Sequence, residues 1–217
     1  MKENYAKAVS YVFHPLLLPT YATLTIIFAN PYLFANFSLK DKMLWVILVF
    51  VLTFVFPAVW LVMMKKLDLI QSLELRTSRE RIVPFIATAT FYLWAYRMFK
   101  PGYSHFQFAN ELIAYMLLGA TLSVFLAFII NIFSKVSLHA VGVGNYFALS
   151  VLLATVSDIN LSLLVVGAVL LAGVVGTARL ILRAHALHEV YTGYMIGFTG
   201  LYLGFYVFPH SKWLRFL

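Results

Sequence analysis

The sequence contains no cysteine, which excludes thiolate catalysis, disulfide bonds and thiolate-ligated metal and leaves the redox compartment undetermined. Charge is almost as scarce. Only 11% of the 217 residues are charged and only 8 are acidic, too little polar surface to clothe a water-soluble globule of this size. No long polar segment interrupts the chain, so no appended soluble domain is expected and residues 1–217 read as one integral membrane domain.

What is present is apolar: 63% of residues are hydrophobic and the mean hydropathy is +0.90. The expected fold is all-α, a polytopic transmembrane bundle of about six to seven spans. These run from about Tyr11 to Phe37, Met43 to Met64, Ile82 to Met98, Glu111 to Phe133 and Val141 to Val156. A sixth follows the turn Ser157-Asp158-Ile159-Asn160 and ends near Leu182, and a seventh covers Val190 to Phe208. Pro15 and Pro19 interrupt the first span, Pro57 is expected to kink the second, and Pro84 stands in the first turn of the third. Gly193, Gly197, Gly200 and Gly204 have the small-residue spacing that lets helices approach closely. Packing within the bundle is the expected use, with dimerisation left open.

The net charge is +8, but the cations lie in short loops between apolar runs, which favours anionic lipid headgroups over nucleic acid as partners. One loop concentrates them: Lys65 to Arg81 holds Lys65, Lys66, Arg76, Arg79 and Arg81. An isolated loop of this kind would be read as a topology anchor. His14 reads as an interfacial histidine and His105 as a loop residue.

A second polar stretch stands between two apolar runs, from Ala178 to Val190, with Arg179, Arg183, His185, His188 and Glu189. On a helix, His185 and Glu189 would share a face and meet. A carboxylate on an imidazole selects its tautomer and stabilises its cation, and guanidinium groups nearby bind anions. That combination suits work on a phosphate.

Arg179-x5-His185-x3-Glu189, followed by Val190 and Gly193, resembles the third signature of the type 2 phosphatidic acid phosphatases, S-R-x5-H-x3-D, with Ala178 for Ser and Glu189 for Asp. The family's second signature, P-S-G-H, is matched at Ser137 and His139, while Val136 and Leu138 depart from it. Its first, K-x6-R-P, aligns on Pro84 with Arg76 at the Lys position but Val83 at the Arg position. Arg79 or Arg81 is left to supply that cation. Two spans separate the arginine loop from His139 and two more separate His139 from His185, so all three clusters are expected on one membrane face.

The resemblance implies a metal-independent lipid phosphatase or diphosphatase without cofactor. His185 would be the nucleophile oriented by Glu189, and His139 the proton donor to the leaving group. Arg179, Arg76, Arg79, Arg81, Lys135 and Ser137 would bind phosphate. Phospholipid or polyprenyl phosphates and diphosphates share the required end group. The implied setting is a bacterial inner membrane, and basic residues outside the proposed site are more numerous on the opposite face, which points the site away from the cytoplasm. Two other readings compete: a non-catalytic lipid-binding or transport protein of the same fold, and an intramembrane metallohydrolase using His139, His185, His188 and Glu189.

Overall fold

The computed structural model describes residues 2–29, 31–70, 78–102 and 110–206, and among them every regular element is helical. The order is α1 (Lys2–Val12), α2 (Leu18–Ala29), a 3-10 turn (Pro31–Phe34), α3 (Leu39–Phe50), a π-helical turn (Val51–Val55), α4 (Phe56–Lys66), α5 (Ser78–Phe99), α6 (Glu111–Phe133), α7 (Leu138–Val156), α8 (Ser162–Ile181) and α9 (Leu187–Tyr206). Five stretches are long and apolar enough to cross a membrane: Leu39–Lys66, Arg81–Phe99, Glu111–Phe133, Leu138–Val156 and Ser162–Ile181. The bundle is therefore that of a membrane protein. α9 is as long as α8, but its tyrosines and glycines keep it out of that group; one face of it packs on α6 and α7, while Tyr191, Met195 and Tyr202 are exposed.

The first expected span is not one helix. α1 ends at Val12, the chain turns through 13–17, and α2 restarts at Leu18. Pro15 is the cause, because its ring keeps His14 out of the helical region. The turn closes with Leu17 N–H on the His14 carbonyl at 2.8 Å and Leu16 N–H on His14 Nδ1 at 3.3 Å. α5 also starts earlier than expected, at Ser78, so Pro84 lies inside a helix rather than in its first turn, and Arg79 and Arg81 are helical residues. The helix is irregular just before Pro57. The turn before it widens to π geometry, with Phe56 N–H on the Val51 carbonyl.

α6 is buried all round from Leu112 to Thr121, the pattern of a central helix, and exposes Phe125, Ile129, Ile132 and Phe133 along its second half. Asn110 caps it through Ile113 N–H at 3.1 Å, and Asn110 N–H in turn bonds the Phe99 carbonyl, which pins the end of α5 to the start of α6. α9 packs on α6 and α7 through its glycines. A Cβ at Gly197 would fall on the Val141 carbonyl oxygen and the Asn145 nitrogen of α7, and one at Gly204 on the Gly119 backbone of α6. The glycine face thus lies inside the bundle. A buried polar knot marks the same seam: Asn145 Nδ2 donates to Ser123 Oγ at 2.9 Å, and Ser123 Oγ donates to the Gly119 carbonyl at 2.9 Å.

Gly197→Ala should lower the unfolding midpoint in detergent by several degrees, the expected consequence of about 1–3 kcal/mol of overpacking. Gly167 on α8 has open space above it. Gly167→Ala should leave the midpoint unchanged or slightly raised, because alanine is the better helix former.

Candidate functional site

The polar stretch does not form one helix. α8 ends in a Schellman turn, with Ala184 N–H on the Arg179 carbonyl at 3.1 Å and Arg183 N–H on the Leu180 carbonyl at 2.9 Å. Arg183 takes the left-handed position of that turn at φ 50, where glycine is usual, and holds roughly 1 kcal/mol of strain. α9 begins at Leu187, which places His185 just outside the helix and Glu189 in its first turn. The expected shared helical face is therefore corrected: the two residues meet across a helix start.

The Glu189 carboxylate makes that meeting rigid. Its Oε2 accepts from His185 Nδ1 at 2.7 Å and from Ala186 N–H at 3.2 Å, the backward reach of a capping-box carboxylate. The two side chains are only 7% and 13% exposed. Because Nδ1 carries the proton, Nε2 of His185 keeps its lone pair. Burial, with Arg179 and Lys135 nearby, pushes His185 down to about pKa 4 even though the Glu189 bond opposes the shift, so the imidazole is neutral near neutral pH.

The α6–α7 junction is tied to this turn twice. Lys135 Nζ donates to the Ala184 carbonyl at 2.9 Å, and Ser137 N–H donates to the Glu189 carbonyl at 3.3 Å. Ser137 is fully buried and caps α7, its Oγ accepting from Ala140 N–H at 3.4 Å. His139, two residues on, therefore projects from the first turn of α7.

The end of α1 supplies the contacts that sequence reasoning missed. The Ser10 carbonyl accepts from His139 Nε2 at 3.1 Å, and Ser10 Oγ accepts from Arg179 Nη1 at 3.0 Å. A carbonyl can only accept, so the His139 proton sits on Nε2. His14 packs edge-on against His139 with ring centroids 5.7 Å apart, and burial with the Arg179 charge lowers its pKa. The Leu16 N–H on Nδ1 assigns the proton of neutral His14 to Nε2. The one sequence signal was that His14 precedes a helix-breaking proline at the same end of a span as the motifs.

Arg179 is the central cation. Its Nε is buried and has no hydrogen-bond partner among the described residues. Such a donor costs about 1–3 kcal/mol or more unless a ligand meets it, and an anion is the ligand a guanidinium fork accepts. Arg81 of α5 is close enough for its charge to act on Arg179. The structure thus brings together Lys135, Ser137, His139, Arg179, His185 and Glu189, with Arg81 approaching. Arg76 lies outside the described residues, and so does the Arg79 side chain. His188 and Arg183 are exposed. Among the described residues no three metal-ligand side chains converge.

No protein-family model, no curated protein and no solved structure matches this chain. If the Arg179 fork holds an anion, phosphate or orthovanadate should raise the unfolding midpoint of wild-type protein, the stabilisation reaching about 2.7 kcal/mol at a hundredfold excess over the dissociation constant. Arg179→Gln should fold and lose that shift. A shift equal to wild type would place the anion elsewhere.

Proposed function

We propose that this protein hydrolyses a lipid phosphate or diphosphate at one face of a membrane, without metal, through a phosphohistidine on His185. One observation carries the reading: the buried Nε–H of Arg179 has no partner among the described residues, and its charge acts on His185, an imidazole whose Nε2 is left with a lone pair by the Nδ1 bond to Glu189. The resemblance to the type 2 phosphatidic acid phosphatases supports the same assignment.

In the proposed reaction a phosphate end group of about two negative charges docks on Arg179 with help from Lys135 and Arg81. His185 Nε2 attacks phosphorus, the bond to the leaving oxygen breaks, and His139 gives that oxygen its proton. Glu189 stabilises the imidazolium that forms as His185 is phosphorylated. Water then attacks the P–N bond, passes its proton to His139, and phosphate leaves. With His139 Nε2–H held on the Ser10 carbonyl, Nδ1 exchanges the proton: unprotonated at rest, it takes a proton from solvent as the substrate docks, passes that proton to the leaving oxygen, and takes one from the attacking water, which then returns to solvent. Ser137 acts by capping α7 and setting the direction of His139.

That same Nε2 bond favours a second reading, a protein that binds lipid phosphate without turning it over, because one nitrogen of the supposed acid is committed to the backbone. Trapping phosphohistidine on His185 with a labelled lipid phosphate separates the two. The proposed location is a bacterial inner membrane with the site facing away from the cytoplasm. The absence of native cysteine makes this easy to check: a cysteine at the exposed Leu67 or Leu69 should react with an impermeant reagent in intact cells.

Phosphate release should survive chelator and be inhibited by vanadate. Glu189→Gln should lower turnover by roughly two to four orders of magnitude, and Glu189→Asp should retain more. The nucleophile must be neutral, so the acid limb that His185 sets on the pH–rate profile should lie below about pH 5 rather than near 6.5. Glu189→Gln removes the group that raises this pKa, so the limb should move to still lower pH as the rate falls. A limb near 6.5 in both proteins would remove His185 as nucleophile.

A further inference from the structure

An open groove of about 380 Å³ lies between α1 and α8. One face of α1 lines it through Tyr5 and Val9, and one face of α8 through Gly173, Val174, Ala178 and Ile181. The lining is almost wholly apolar. Its volume lies at the lower end of ligand-sized cavities.

The groove comes within one residue of the site on both helices. Val9 and Ala178 line it, and the next residue in each case, Ser10 and Arg179, forms the hydrogen bond that joins α1 to the anion-binding cation. Gly173 stands six residues before Arg179, roughly 9 Å along the helix. The groove exists there because Gly173 has no side chain, and a Cβ at that position would meet nothing within 4 Å. Neighbouring Val174 is half exposed, so the groove opens toward the lipid-facing side of α8.

We infer that this groove holds a hydrocarbon chain of the lipid phosphate whose headgroup sits on Arg179. The inference rests on the phosphatase reading for the identity of the headgroup. It adds that the enzyme grips its substrate by the tail as well, and that chain length sets affinity. A cationic end joined to an apolar channel fits an amphiphile with an anionic head and excludes a free sugar or nucleotide phosphate as the preferred ligand.

Gly173→Leu fills the groove with no backbone in its way, and Gly167→Leu places the same side chain on open space of the same helix outside the groove. With long-chain phosphatidic acid, Gly173→Leu should raise KM at least roughly tenfold, the equivalent of about two buried methylenes. It should leave kcat, vanadate inhibition and hydrolysis of a short-chain water-soluble analogue unchanged, and Gly167→Leu should match wild type throughout. Equal effects on both chain lengths, or on neither, would overturn the inference.

A binding measurement separates this from failure of the phosphatase reading. Phosphatidic acid carrying a photoreactive group on its tail should label α1 or α8 in the groove, vanadate should compete, and Gly173→Leu should block labelling. Labelling there with no phosphate release by any lipid would sink the hydrolase and keep the groove. Equal labelling by a tail lacking phosphate marks bulk membrane lipid, labelling elsewhere marks another path, and a protein–protein crosslink marks a second copy of the chain. Each of these three results would overturn the proposal.

Discussion

The arrangement depends on one carboxylate oxygen. Glu189 Oε2 accepts from the backbone that starts α9 and from the imidazole just outside it, so helix initiation and the orientation of His185 are the same event. The neighbouring loop adds two bonds to the same turn, through Lys135 and Ser137, which sets the first turn of α7 and with it His139. A shift of the Glu189 carboxylate would therefore loosen a helix end, a histidine and a loop together. Charge-assisted bonds of this length are the stronger kind, and in a weakly solvated place they bear more weight than at a surface.

The scaffold makes such a site tolerable. Cations are costly within a bilayer, so they collect where helices end, and the apolar lengths of α6, α7 and α8 place those ends together. α9 reaches the interior because its glycines let it lie against α6 and α7 backbone to backbone, at a distance no larger residue allows. Gly193 is one of them, four residues after Glu189, and it abuts Ala140 and the Ser137 carbonyl. Close packing therefore begins at the site itself, which keeps the two helix starts, α7 and α9, in register.

Five of the seven expected spans were legible because long apolar runs have few alternatives in a membrane; the first is broken into α1 and α2, and the seventh, α9, is too rich in tyrosine and glycine to rank with them. The pairing of His185 with Glu189 was legible too, but from a spacing whose meaning differed: four residues brought them together across a cap rather than along a face. Pro15 was visible as a break, yet what the break accomplishes was not. Ser10 lies 129 positions from His139 and 169 from Arg179, and no local pattern in a single sequence relates residues so far apart. His14 looked interfacial for the same reason, since only the folded chain sets it against His139. Arg81 needed the helical register of α5, which Pro84 had disguised as starting later.

The protein contains its own control for the unusual glutamate. At the start of α3, Asp41 occupies the same capping position as Glu189, and its Oδ2 accepts from Ser38 N–H at 3.2 Å and Ser38 Oγ at 2.6 Å. An aspartate is thus long enough to reach back to the N-cap backbone, at the same 3.2 Å that Glu189 achieves on Ala186. The extra methylene is not needed for the cap. What differs is the second partner: Asp41 meets a hydroxyl on the capping residue, whereas Glu189 meets an imidazole one residue further out. Ala186 offers no side-chain oxygen in return, so the reciprocal half of the capping box, worth about 0.5–2 kcal/mol at an ordinary N-cap, is missing at α9. A sequence selected for helix stability alone would place serine or threonine at 186 and would have no use for the longer acid. Alanine at the cap and glutamate three residues later exchange half a cap for a carboxylate that extends past the helix to His185. The local chemistry of α9 is explained by the histidine it holds.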